Sequence, residues 1–111
     1  MVRRSYTAVV EQDAWWDGRF ETEPYEVAWA SELVVFVRAL DVDGAVNDAR
    51  ASVELSPDGI HWCREGTEFD LPKAREAVTF GRVSHFGTYV RLAGTVGDGR
   101  VRVIVYFVLK E

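Results

Sequence analysis

Apolar and polar residues alternate with a period of two along most of this chain. Ala49, Ala51, Val53 and Leu55 interleave with Arg50, Ser52 and Glu54, and Val90, Leu92 and Val96 alternate with Tyr89, Arg91 and Thr95. Successive side chains of a strand point to opposite sides, so such runs are strands with one face in a core and one in water. Asp17-Gly18, Asp43-Gly44, Pro57-Asp58-Gly59 and Gly97-Asp98-Gly99 punctuate them, and Asp-Gly pairs supply the positive φ that tight hairpins need. The pattern predicts strands near 5–13, 19–28, 32–42, 48–56, 60–64, 76–83, 87–96 and 100–110. No stretch holds a helical period; Lys73-Ala74-Arg75-Glu76-Ala77, after Pro72, makes at most one helical turn. The expected fold is all-β: a single-domain antiparallel β-sandwich over residues 1–111, with about eight strands.

Two strands depart from the one-wet-face rule. Leu33 to Val37 and Val103 to Leu109 are apolar on both faces, which a two-layer sandwich cannot bury by itself. Arg38 marks one face of the first strand as outward, and Arg102 and Lys110 mark one face of the second. Val34 and Phe36, with Ile104, Tyr106 and Val108, then lie on those outward faces. Large contiguous apolar patches on monomers usually mark contact sites, so these five residues are the expected interface, unless the Trp-rich N-terminal segment covers them.

Composition narrows the partners. A chain of 111 residues is long enough to bury one core without a staple. The lone Cys63 excludes an internal disulfide and implies no oxidising compartment. A formal charge of −5, with scattered arginines, speaks against nucleic acid. Met1-Val2-Arg3-Arg4 leads into no apolar run, so no secretion signal is read, and no stretch has the roughly 20 apolar residues of a membrane helix. The expected location is cytoplasmic or particle-associated.

The candidate chemistry is sparse. Glu11 to Ala30 holds three of the four tryptophans beside many acids. Trp15 and Trp16 are adjacent, so in a strand only one enters the core. Rings with polar tips anchor interfaces and stack on sugars, which makes Trp15, Trp16, Phe20, Tyr25 and Trp29 the candidate binding cluster, with ordinary core packing as the competing explanation. His61 and Cys63 stand two apart, as two metal ligands on one strand face would. A zinc site needs three or four ligands, the only other histidine is His85, and there is no second cysteine. Asp41, Asp43, Asn47 and Asp48 offer oxygen donors of the kind calcium takes, but their spacing departs from the calcium-loop pattern and a turn accounts for them. No metal or cofactor is therefore expected. Ser84 and His85 face opposite ways in a strand, and no nucleophile elbow, zinc-protease motif or phosphate loop is present. No catalytic residue is assigned.

The segments "VELSPDGIHWCREGTEFDL" and "GTYVRLAGTVGDGRVRVIVYFVLKE" resemble the C-terminal half of discoidin-type, galactose-binding-like β-sandwiches. There a strand leads into S-x-D-G-x-x-W, and a later strand carries Y-V-R and an aliphatic residue. The matching positions are Ser56, Asp58, Gly59 and Trp62, then Tyr89, Val90, Arg91 and Leu92. The likeness spans Val53 to Leu109 and implies a galactose-binding-like or jelly-roll sandwich. Independently of it, Trp62 follows in phase with Ile60 on the strand after the Ser56–Gly59 turn and is expected inside the core. No binding residue carries over, because the family's ligand loops lie largely in the unmatched half.

Together these features point to a non-enzymatic structural module that contacts copies of itself or a larger scaffold, such as a virion or other multi-subunit particle. The alternative is a carbohydrate-binding module of the discoidin-like type, and a small enzyme of unknown reaction ranks third.

Overall fold

The computed structural model describes residues 4–84 and 86–111. Nine strands follow one another: β1 (Ser5–Trp16), β2 (Arg19–Glu21), β3 (Tyr25–Glu26), β4 (Glu32–Asp43), β5 (Arg50–Ser56), β6 (Cys63–Asp70), β7 (Val78–Ser84), β8 (Tyr89–Thr95) and β9 (Arg100–Lys110). They form a four-stranded sheet, β1-β9-β4-β7, and a five-stranded sheet, β2-β8-β5-β6, with β3 also on β8. All pairings are antiparallel. This is the β-sandwich that the alternation predicts.

The core lies where the inward residues of the two sheets meet. Leu33, Val35 and Val37 of β4 and Val101, Val103, Val105, Phe107 and Leu109 of β9 are sealed from solvent. So are Ala51 and Val53 of β5 and Val90 and Leu92 of β8. Trp16 and Phe20 close one end, stacked 3.9 Å apart and nearly parallel. Beneath them Gly94 leaves room for no side chain: a Cβ there would sit 2.1 Å from the Arg50 carbonyl and 3.0 Å from the Phe20 ring.

The turn signals act differently from the expectation. Of the Asp-Gly turns, only Pro57-Asp58-Gly59 joins two paired neighbours, β5 and β6. Asp17-Gly18, Asp43-Gly44 and Gly97-Asp98-Gly99 carry the chain between sheets. Positive φ bends a chain sharply wherever it is needed, so it marks the bend and not the partner of the next strand. At Gly99 the need is double, because φ is 76° and a Cβ would press within 2.8 Å of the Asp43 carbonyl.

Three boundaries also move. The expected strand at 19–28 divides into β2 and β3 around Glu23-Pro24, since proline cannot donate to a ladder. Thr22 bridges the break: its N–H donates to Leu92 O at 2.8 Å, and its hydroxyl accepts from Leu92 N at 3.0 Å. The strand expected at 60–64 lies instead at 63–70, because Asp58 Oδ1 captures the N–H groups of Ile60 and His61 and holds them in the turn. Finally, β1 runs on to Trp16 through irregularities between Val9 and Ala14, where Asp13 has φ 59°. It lies beside β9 as the sheet's edge and does not fold over the outward faces of β4 and β9. Among the described residues, no helix is long and apolar enough to cross a membrane.

Candidate functional site

The two outer faces of the sandwich have opposite chemistry. On the four-stranded sheet, register aligns side chains in rows across β1, β9, β4 and β7. Val9, Tyr106, Phe36 and Phe80 make one row, with Thr7, Val108, Val34 and Arg82 on one side of it. On the other side Ile104 lies between Arg38 and the irregular part of β1, and Val78 follows Arg38 on β7. Val34, Phe36, Ile104, Tyr106 and Val108 are half-buried by their neighbours alone, while Val9, Val78 and Phe80 stand exposed, Phe80 at 47%. Phe36 and Phe80 touch at 5.9 Å between centroids. Two charges lie inside this field: Arg82, whose guanidinium sits 5.2 Å from the Phe80 ring, and Arg38, which brings its own counter-ion, Glu76 Oε2 at 2.9 Å. That bond, followed by one that the Arg38 guanidinium donates to the Tyr106 hydroxyl, raises its pKa further above its already high value.

Charge gathers at the two ends of the face. Lys110 and Glu32 are in-register partners at one end. At the other, Arg102 pairs with Asp13 and Arg100 with Asp43, the latter at 3.0 Å. The rows reach this end because a bulge between Ala39 and Asp41 shifts the parity of β4 and turns Asp41 and Asp43 outward. An apolar centre with a charged rim is the anatomy of a protein contact.

The outer face of the five-stranded sheet is dominated by ion pairs. Arg91, only 14% exposed in its side chain, bonds Glu54 at 2.7 Å and Glu21 at 3.1 Å. Arg50 holds Asp70 at 2.8 Å, and Arg64 holds Glu68 at 3.4 Å. A shallow groove of about 290 Å³ runs between them, lined by Arg19, Arg50, Ser52, Glu54, Arg64, Glu68 and Thr95, without an aromatic ring.

Trp62 belongs to this polar face, which corrects the expectation that it fills the core. It is half-buried, and the Arg91 guanidinium sits 4.3 Å above its ring. Ile60, expected in phase with it, is 74% exposed. Both precede β6, so the alternation that seemed to place them inside had not begun. The quoted motif residues nevertheless converge. Ser56 Oγ accepts from Gly59 N at 2.8 Å, the Tyr89 ring lies 3.8 Å from where a Gly59 Cβ would be, and Arg91 covers Trp62. The motif knits β5, its turn and β8. Within it, Asp58 accepts from the His61 and Ile60 backbones and pairs with His61 Nδ1 at 2.7 Å. The His61 N–H first, then the His61 ring and the Ile60 N–H, hold its carboxyl far below the ordinary carboxylate range.

The five aromatic candidates do not form one platform. Trp16 and Phe20 are in the core at 5% exposure. Tyr25 is half-buried, edge-on to Phe107 at 6.0 Å. Trp29 is half-buried near Arg4, whose guanidinium is 5.5 Å from its ring. Trp15 alone reaches out, 41% exposed, with Arg100 stacked at 4.4 Å. Its register partner is Arg102, so it borders the apolar face of the four-stranded sheet. Val9, Val78 and Phe80 were missed as members of that face. Arg82, two residues beyond Phe80, marks the outward side of β7 as Arg38 does for β4, and was the available signal.

His61 and Cys63 do not share a strand face, since His61 lies in the turn, and Cys63 opens β6 as an exposed free thiol. His85 lies outside the described residues. Asp41 accepts from the Val42 N–H at 2.9 Å and Asp43 pairs with Arg100. Among the described residues, no three His, Cys, Asp or Glu side chains converge as a metal site.

The fold defines the class: a two-sheet antiparallel β-sandwich. No protein-family model and no curated protein sequence matches the chain. Solved structures share its fold at low identity. The SPBc2 prophage-derived protein YomS superposes with TM-score 0.62 and 10% identity, over 100% of this chain and 96% of that one. A structure of infectious bursal disease virus, Gt strain, gives 0.56 and 12%, over 97% of this chain and 32% of the viral one. The C-terminal CBM6 of LamC, a marine laminarinase from Zobellia galactanivorans, gives 0.51 and 15%, over 95% and 98%. Phage, viral and carbohydrate-binding proteins thus have this sandwich, and of the expected resemblance the β-sandwich fold alone is shared with them.

Proposed function

We propose that the protein is a non-enzymatic assembly module whose contact surface is the outer face of the four-stranded sheet. The observation that carries this reading is the contrast between the two outer faces. One is satisfied within the chain by ion pairs, whereas the other leaves a contiguous apolar field in water, where exposed apolar area is costly and usually marks a contact. The likeness to a prophage-derived protein and a virus structure agrees with a particle context. The test is light-scattering mass of the unmodified chain and of I104D/V108D. We expect a defined oligomer that the double variant reduces to a folded monomer, because a buried interface centre tolerates no unpaired charge. A variant that loses its β-signal in circular dichroism would make the face a part of the monomer's own structure and refute the reading.

A second reading, carbohydrate binding, is favoured by the polar groove over β5, β6 and β8 and by the CBM6 likeness. It ranks lower because the groove lacks a stacking ring, and Trp62 on the same sheet's outer face already has Arg91 over its ring. Glycan-array binding that R50A abolishes and I104D/V108D leaves intact would reverse the order.

A further inference from the structure

Resting on the contact-face reading, we infer that the occupant of this face is a second copy of the chain, related by a two-fold axis running along the strands between β4 and β9. These are the two central strands of the sheet. An axis in the contact plane and parallel to them exchanges β9 of one copy with β4 of the other while keeping every row at its own level. Residues paired across the sheet therefore become residues paired across the interface.

That exchange makes the face complementary to itself. Tyr106 comes over Phe36 of the second copy and Val108 over Val34. The charges sort by strand: Lys110, Arg102 and Arg100 are on β9, and their register partners Glu32, Asp41 and Asp43 are on β4. The axis thus lays the basic ends of β9 over the acidic ends of β4, three rows in each copy. The other in-plane two-fold, across the strands, would lay β9 over β9 reversed and β4 over β4 reversed. Lys110 would then meet Arg102 and Glu32 would meet Asp41, and such like-charge juxtapositions disfavour that arrangement. Arg38 enters opposite Ile104 with Glu76 attached, so it adds no unpaired charge.

Size and shape agree. The sheets form the broad sides of a body of 46 × 30 × 20 Å. Four strands about 4.8 Å apart, over eight residues of about 3.4 Å each, give roughly 500 Å² of projected sheet per copy. A two-fold contact then removes about 1,000 Å² in total, the lower bound for a specific interface. Face-to-face sheets pack with strands about 30° apart, which keeps the central rows in contact and leaves the end rows within reach of long Lys and Arg side chains.

Sedimentation velocity over a concentration series tests this on the unmodified chain, on E32K, on K110E, on their equimolar mixture and on I104D/V108D, with thermal melts confirming that each folds. The unmodified chain should be a dimer. E32K and K110E should each dimerise about tenfold or more weakly, and the mixture should recover the dimer, since each reversed row again sets a cation over an anion. A mixture no tighter than its components overturns the two-fold, while a dimer lost only in I104D/V108D leaves the contact face standing. A folded monomer at every concentration overturns the second copy as occupant. If I104D/V108D also fails to fold, the contact-face reading falls with it.

Discussion

Trp16 and Trp62 share a chemistry and differ in what lies over them, and the difference is measurable. Trp16 is sealed in the core against Phe20, so W16A should cost about 3–5 kcal/mol in chemical denaturation. Trp62 rests under Arg91 on the polar face, so W62A should cost only about 1–2 kcal/mol, mostly a cation–π contact and partial burial. Equal losses would contradict the placement. Gly94 has an ordinary φ, so it is required by space alone; G94A must push the β5 backbone away and should cost about 1–3 kcal/mol or more. An unchanged midpoint would mean that β5 and β8 yield freely there. Asp58 sets a pH dependence. Its folded pKa is depressed, so its stabilisation is fully present above the unfolded value of about 3.9 and is lost as pH falls toward the folded one. The Tm deficit of D58N relative to the unmodified chain should therefore be constant from neutral pH to about pH 5 and shrink below about pH 4. A deficit unchanged at pH 3 would show that the charge contributes nothing.

Among elements, the long strands were legible and the joints were not. β4, β5, β8 and β9 follow directly from alternation, since each has a sealed inner face whose register a slip of one residue would expose. The double-faced apolarity of β4 and β9 was equally visible, and Arg38, Arg102 and Lys110 sorted inside from outside in advance. What escaped were features set by side-chain-to-backbone bonds or by third strands. Asp58 delays β6 and takes Trp62 out of phase, and Thr22 carries the ladder past Pro24. The aromatic cluster was legible as composition only; which of its rings were core depended on a stacking partner, Phe20, that reaches Trp16 from the other sheet. The apolar face is wider than the two strands that announced it, because Val9 and Phe80 join by register from the edges.

At the scale of the whole molecule, the two outer surfaces are unlike. The five-stranded sheet closes its outer face with ion pairs, and the four-stranded sheet leaves Phe36, Tyr106 and Phe80 in one row, with most charge at the two ends and Arg38 and Arg82 beside the row. On the proposed reading, the apolar side is completed by another sheet. The most direct measurement is the solution mass of the unmodified chain beside that of I104D/V108D, taken by light scattering at matched concentrations with circular dichroism on both. The expected result is an oligomer for the first and a monomer of unchanged β-signal for the second. Equal masses for the two, with both folded, would contradict it.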